Sequence, residues 1–171
     1  MVGRYFSKDG GVAVLTKSGR SAIASSIKSQ MVHLAWGDGL ETWASELPPE
    51  DVIATGLAHE IGRRRADEIL FVEGDDDGPL ITPTGRFSAV NYPMNNLFMR
   101  FTFDFEDAAN RTIRELGVFI DTITNPELPA GQRYFELADV VEPGILLVLE
   151  HTVPLIRTAA TRESFSFVIT F

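Results

Sequence analysis

The sequence predicts an α+β fold that is mainly β, with an antiparallel β-sandwich-like core and one N-terminal helix. Two stretches in the second half of the chain, residues 97–105 and 164–171, alternate large apolar side chains with polar ones, as half-buried strands do. Near the N-terminus, Ile23 and Ile27 lie four residues apart, which places them on one face of a helix. We therefore expect the helix early in the chain and most strands later.

The length of 171 residues is that of one domain with a sizeable core. We predict a single domain over residues 1–171, in which residues 1–10 form an N-terminal arm that is flexible or bound to a partner. The N-terminus lacks the apolar centre of a signal peptide, and no run approaches the roughly 18 apolar residues that a membrane-spanning helix needs. We expect neither a signal peptide nor membrane insertion.

The charge distribution excludes some partners. A net charge of −9 argues against broad nucleic-acid binding, because phosphate contacts require clustered lysine and arginine. The basic cluster Arg63–Arg65 is followed at once by Asp67 and Glu68, which we expect to neutralise it. The absence of cysteine excludes disulfides, thiolate nucleophiles and cysteine-ligated metals.

The front of the chain is expected to form a helix over residues 18–29, with Thr16 or Ser18 as its N-cap. Ala22, Ile23 and Ile27 should form its apolar stripe. The alternation in residues 31–36 then indicates a strand.

The middle of the chain is less regular. Pro49 and the acidic residues after it predict a short helical turn over residues 50–57. Residues 60–73 look extended, and residues 74–79 look like an exposed loop. Because prolines, glycines and asparagines recur over residues 79–96, we expect that region to be mostly irregular.

The back third gives the clearest strand patterns. Residues 97–105 should form a strand with one apolar face, made of Leu97, Met99, Phe101, Phe103 and Phe105. Further strands are predicted over residues 112–121, 134–138, 146–156 and 164–171. Pro154 fits its strand only at a sheet edge or a bulge. The last strand should tie the C-terminus into a sheet.

The run from Arg111 to Asp121 has apolar residues on both faces, as a central or interface strand does. Its Glu115 would then need a partner, which Arg63, Arg100 or Arg114 can supply. Gly117 allows a bulky ring to approach closely, and Trp36 is the candidate.

No stretch carries a complete catalytic or metal motif. His59-Glu60 begins like a zinc-protease helix, but Arg63 stands where the second histidine must be. Residues 73–78 resemble a calcium loop but lack the glutamate at its twelfth position, so a solvated turn is expected. The carboxylates of Asp104, Glu106, Asp107 and Glu115 fit a polar strand face and its turn better than acid–base catalysis. We predict no catalytic residues, no cofactor, no metal and no enzymatic activity.

Two short motifs carry a family resemblance. Leu34-Ala35-Trp36-Gly37-Asp38-Gly39 follows the helix, and Ile113-Arg114-Glu115-Leu116-Gly117-Val118-Phe119 comes much later. This order resembles the N-terminal domain of phage tail-collar fibre proteins, a phage tail or baseplate protein family. The resemblance marks a set of family-signature, structural residues, here called the signature residues: Trp36, Gly37, Asp38, Gly39, Arg114, Glu115, Gly117 and Phe119.

The resemblance implies a virion protein that attaches receptor-binding parts to a tail. This chain lacks a repetitive fibre shaft and carries additional strands over residues 134–171, which favours a compact adaptor. We therefore predict a structural tail or baseplate subunit, an adaptor or fibre-attachment protein that docks other tail proteins. It would be made in the host cytoplasm, reside in the virion tail, and form a homo-oligomer, with a trimer as one form.

An alternative function is a carbohydrate- or receptor-binding β-sandwich at the tail tip. In that case Trp43, Tyr92 and Tyr134 would be exposed rings that stack on sugars.

Overall fold

A computed structural model describes residues 5–6, 12–44 and 46–171. The described residues form one α-helix, two short 3₁₀ segments (Glu41–Ala44 and Leu137–Asp139) and fourteen strands. The helix and strands are, in chain order, β1 (Tyr5–Phe6), β2 (Val12–Ala13), α1 (Lys17–Lys28), β3 (Val32–Gly37), β4 (Glu60–Arg65), β5 (Glu68–Gly74), β6 (Leu80–Thr82), β7 (Gly85–Val90), β8 (Asn96–Phe103), β9 (Thr112–Ile120), β10 (Ile123–Thr124), β11 (Tyr134–Glu136), β12 (Val140–Glu142), β13 (Ile145–Ile156) and β14 (Glu163–Thr170). The predicted α+β, mainly β class with an early helix is confirmed. In this described part of the chain, no helix is long and apolar enough to cross a membrane.

The chain divides into two compact units. The first contains the described residues up to Ser29 together with Ile69–Met99 and Phe167–Phe171, and the second contains Gln30–Glu68 and Arg100–Ser166. All the signature residues belong to the second unit. The single domain over residues 1–171 stays a prediction. The predicted arm at residues 1–10 lies outside the described residues, apart from Tyr5–Phe6.

The second unit contains a five-stranded antiparallel sheet in the order β11-β4-β3-β9-β13. Strand β9 lies between β3 and β13, so the prediction of a central strand with two apolar faces is confirmed. Its register places Leu116 opposite Trp36 and Gly117 opposite Ala35. This register brings the two signature motifs side by side.

An aromatic cluster fills one side of this sheet. The ring of Trp36 stacks on that of Phe103 with centroids 3.5 Å apart, and Phe165 meets both rings edge-on. Trp36 and Phe103 are fully buried. Because Phe103 and Phe165 come from β8 and β14, this packing gives the sandwich-like core that the sequence predicts.

A second five-stranded sheet has the order β14-β8-β5-β7-β6. The four predicted core residues of β8, namely Leu97, Met99, Phe101 and Phe103, are fully buried. The fifth, Phe105, is 42% exposed, so the prediction for it is wrong. The strand ends at Phe103 because Asp104 and Asp107 close a turn, in which the Asp107 amide donates to the Asp104 carbonyl at 3.2 Å.

The helix of the first unit begins as predicted, but its buried face is rotated. Thr16 is the N-cap, and its hydroxyl accepts from the Gly19 amide at 3.1 Å. Its buried residues are Ala24 and Ile27, whereas Ile23 is 42% exposed, so the predicted stripe is only partly correct.

The C-terminus is tied down within the first unit. The amide of Phe171 donates to the Asn95 carbonyl at 2.9 Å. The carbonyl of Phe171 accepts from the guanidinium of Arg20 at 3.1 Å.

Three predictions about the middle of the chain need correction. Residues 50–57 form no helix, because the side chain of Asp51 accepts from the Ile53 amide at 3.0 Å and fixes a tight turn instead. Residues 79–96 are not mostly irregular but contain a hairpin of β6 and β7, whose turn uses Gly85 at φ +143°. Residues 60–73 form two strands, β4 and β5, that are separated at residues 66–67.

Pro154 lies where the sequence predicts. Strand β13 is at the edge of its sheet, and its register against β9 shifts between His151 and Leu155.

Candidate functional site

The signature residues meet at the end of β3. The turn Gly37-Asp38-Gly39 follows Trp36, and Gly39 adopts φ +54°, a conformation that favours glycine. The amide of Asp38 donates to the carbonyl of His59 at 3.1 Å, which joins the turn to the segment before β4.

Glu115 is the centre of this site. It is fully buried, and its two carboxylate oxygens accept from the amides of Ala58 at 2.9 Å and His59 at 2.7 Å. Among the contacts that the structure describes, none joins Glu115 to an arginine, so the prediction of an arginine partner is wrong. Two backbone amides satisfy its buried oxygens instead, since a buried polar atom needs a hydrogen-bond partner.

Asp38 connects the outer part of the site. Its carboxylate lies 2.6 Å from Nδ1 of His59 and 3.6 Å from a guanidinium nitrogen of Arg111. Its backbone carbonyl accepts from Arg114 at 2.9 Å. These side chains, with Glu41, line an open polar pocket of about 500 Å³ in which acidic and basic groups already face each other.

Gly117 serves close packing, but not against Trp36. A Cβ at residue 117 would meet Leu57, Leu146 and Phe119. In the register Trp36 stands opposite Leu116, so these two side chains share one face of the sheet. Gly117 is the next residue after Leu116 and therefore faces the other side. The predicted contact is corrected accordingly.

Phe119 supports a buried arginine that the sequence pattern did not reveal. Arg63 is 1% exposed, its guanidinium lies 3.7 Å from the Phe119 ring centroid, and it forms two bonds to Glu60 at 2.6 and 3.0 Å. It also donates to the Thr122 hydroxyl at 2.9 Å.

The predicted neutralisation of Arg63–Arg65 by Asp67 and Glu68 is wrong. Asp67 pairs with Arg133 and Glu68 with Arg100, while Arg64 pairs with Asp107 at 2.6 Å. The period-2 alternation of β4 sends neighbouring arginines to opposite faces of the sheet, so they cannot share one local partner.

A second buried arginine closes the turn before β9. Arg157 is fully buried and donates to the carbonyls of Asp104 at 2.6 Å and Thr161 at 2.7 Å. Its backbone pairs with Arg111 and Asn110 at 2.8 and 3.1 Å. Arg157 therefore fixes the segment from which Arg111 reaches Asp38.

The other predicted features have structural roles. In the acidic loop, the carboxylate of Asp75 accepts from the Ser88 hydroxyl at 2.5 Å and from the Asp77 amide at 3.1 Å. These hydrogen bonds lower the pKa of Asp75, and the bond from Ser88 has the larger effect. Among the residues with described positions, no three histidine or acidic side chains are grouped as a metal site.

The three rings of the carbohydrate alternative differ in exposure. Trp43 is half-buried, with its ring centroid 4.6 Å from that of His151. Tyr134 is half-buried, with its ring centroid 6.3 Å from that of Phe103. Tyr92 is 48% exposed and its hydroxyl donates to Glu73 at 3.0 Å. Sugar binding stays a prediction.

The chain matches a known protein family. Residues 12–171 match the sequence model of a family described as baseplate wedge 3 tail fiber network component. This match confirms the expected membership of a phage tail or baseplate protein family. No curated protein matches the chain significantly.

Proposed function

Because the chain belongs to the baseplate wedge 3 tail fiber network component family, we propose that it is a non-enzymatic adaptor that docks tail fibre components to the baseplate. Its family is one of structural components of the virion tail. The docking role, the homo-oligomer and synthesis without a signal peptide are parts of this proposal.

The position of Glu115 is the observation that carries the proposal. A carboxylate that acts as a catalytic acid or base must reach a reacting group. Glu115 is fully buried and both its oxygens are used by backbone amides. The most distinctive charged residue of the signature therefore joins β9 to the segment before β4, as a rigid attachment module requires.

The surface of the second unit supports a role in assembly. Val52, Ile53, Val141 and Val153 are each more than 60% exposed although they are large and apolar. These side chains are candidates for burial by partner chains, because the cores of protein–protein interfaces are rich in apolar residues.

A complementation experiment tests the docking role. Phage that lack the gene are supplied with the wild-type protein or with none, and the particles are examined by electron microscopy. We expect tails without attached fibres when the protein is missing and normal tails when it is supplied. Fibred tails in its absence would contradict the proposal.

The oligomeric state is tested separately by size-exclusion chromatography with light scattering. A mass of two or more chains, with three as the expected number, supports the homo-oligomer. A mass of one chain at all concentrations would remove that part and leave the docking role to the complementation test.

A further inference from the structure

No described residue pairs with the outer edge of β13 over part of its length. Among the described residues of that sheet, β13 pairs with β9 and forms the edge of the sheet. The His151 amide donates to the side chain of Glu50 at 3.1 Å, so it points away from β9. Because hydrogen-bonding directions alternate along an antiparallel strand, the amide and carbonyl of Leu149 point the same way.

Structure covers the C-terminal end of this open stretch. The segment that contains Pro48 and Glu50 contacts β13 at His151, where the Pro48 carbonyl lies 2.8 Å from Nδ1. Further on, Pro154 and the register shift between His151 and Leu155 interrupt the regular ladder with β9, which resumes at Leu155. The stretch from Leu146 to Glu150 has a register shift of its own between Leu146 and Val148, and Leu149 in its regular part directs its amide and carbonyl outward, where another strand can pair with it.

A turn that contains two exposed apolar side chains, of which Val52 lines a cleft, lies beside this stretch. Val52 and Ile53 are 93% and 80% exposed, on a turn that Asp51 fixes through bonds of 3.0 Å to the amides of Ile53 and Ala54. A cleft of about 200 Å³ separates this turn from Leu146–Leu149. That volume suits one large apolar side chain, and the turn is ordered in advance, which lowers the entropic cost of binding.

The rim of the cleft is acidic. Glu50 and Asp51 line it, and the exposed Glu150 stands at the end of the stretch. Partial burial raises the pKa of Glu150, and the negative charge of Glu50 raises it further. The charges at this rim therefore repel one another, and a basic partner would relieve the repulsion.

We propose that the edge of β13 at Leu146–Glu150, together with the Val52–Ile53 turn, binds an extended segment of a different tail protein by strand addition. That segment carries a large apolar side chain for the cleft and lysine or arginine beside it. Main-chain bonds give affinity in this type of recognition, and alternate side chains give selectivity. The inference rests on the proposed docking role and names the surface that performs it.

A second copy of this chain is a poorer occupant. Pairing two copies of the edge about a two-fold axis would bring Glu50, Asp51 and Glu150 of both copies together. Like charges placed opposite each other disfavour association.

A peptide experiment on the full chain tests the proposal. The probe is a ten-residue peptide that alternates lysine with valine around one phenylalanine. Its controls replace every lysine by glutamate, or the central valines by proline. We expect the basic peptide to bind at least about tenfold more tightly than either control, since the controls remove charge complementarity and main-chain pairing.

The location of binding is read from amide NMR shifts and hydrogen exchange. Binding at the proposed surface slows exchange at the Leu149 amide and shifts the signals of residues 50–54. The double variant Val52→Ser with Ile53→Ser, and Glu150→Gln alone, should each weaken binding about fivefold or more. Ile81→Ser is the matched control, because Ile81 is also 67% exposed but lies in the first unit; it should bind normally.

Three outcomes would overturn the inference. The first is equal binding of the acidic and basic peptides, and the second is binding without a change in exchange at the Leu149 amide. The third is slow exchange at Leu149 without peptide in a chain that self-associates, because a second copy would then occupy the edge. Complementation separates this test from that of the docking role. If the serine double variant restores fibres while peptide binding is lost, the surface fails and the docking role stands.

Discussion

The carboxylate of Glu115 occupies space that any side chain at residue 37 would need. A Cβ built on Gly37 would overlap Oε1 of Glu115 and the carbonyl oxygen of His59. The glycine of the Gly37-Asp38-Gly39 turn and the glutamate of the β9 motif are thus one structural unit, although they are far apart in sequence.

Replacing Gly37 by alanine should destabilise the protein. Neither obstacle moves freely, since one is backbone and the other is held by two amides, so we expect a loss of about 1–3 kcal/mol in the free energy of unfolding. Urea titration monitored by tryptophan fluorescence measures it.

Gly56→Ala is the matched control for that variant. A Cβ at residue 56 meets nothing within 4 Å. Its free energy of unfolding should stay within about 0.5 kcal/mol of the wild type. Equal effects of the two substitutions would show that the close approach at Gly37 does not constrain the fold.

Glu115→Gln should also destabilise the protein. Glutamine keeps one acceptor oxygen, and its NH₂ group would face one of the two amide donors at Ala58 and His59. A buried donor without an acceptor, together with a weaker bond to the other, costs about 2–3 kcal/mol.

Glu106→Gln provides the comparison, because Glu106 is exposed. It should leave the free energy of unfolding unchanged. Unaltered stability of Glu115→Gln would mean that the two amide bonds do not hold the site together.

Arg63→Met should cost about 3–5 kcal/mol, because it leaves the carboxylate of Glu60 buried without its partner. Arg65→Met is the control, since Arg65 lies on the same strand with an exposed side chain. Arg63→Lys should recover little of the loss, because one ammonium cannot form both bonds to Glu60 and stack on Phe119. Chemical denaturation of the three variants provides the measurement.

The strands of this fold follow from local pattern, but its site does not. Alternation alone located β8 and β14, because a strand with one covered face requires it. Strands β9 and β13 were recognised from apolar runs instead, since a strand that is covered on both faces need not alternate. The hairpin of β6 and β7 was missed, because Pro83 and Gly85 look irregular until they are seen as its turn.

The contacts of the site depend on partners distant in sequence. The bonds from Ala58 and His59 to Glu115 come from backbone amides, which every residue but proline has, so composition cannot reveal them. Arg157 looks like an ordinary surface cation, yet it is buried by carbonyls some fifty residues away. Such contacts become visible only when the register of β9 is known.

Stability should fall in mildly acidic solution because of His33. Burial, reinforced by the charges of Arg63 and Arg65, lowers the pKa of His33 from 6.5 to about 4 in the folded chain. The unfolded chain therefore binds a proton at a higher pH than the folded chain. The contribution of neutral His33 is complete above about pH 6.5 and is lost as the pH falls toward 4.

The expected loss between pH 7 and pH 5 is about 2 kcal/mol from this one side chain. Because carboxylates also titrate in acid, the measured quantity is the difference between wild type and His33→Leu, each unfolded with urea at both pH values. Leucine suits the site, since Nδ1 of His33 has no hydrogen-bond partner and its ring meets Phe135 edge-on at 5.4 Å. The variant should lose about 2 kcal/mol less than the wild type; identical losses would show that His33 is protonated as easily in the folded chain as in the unfolded one.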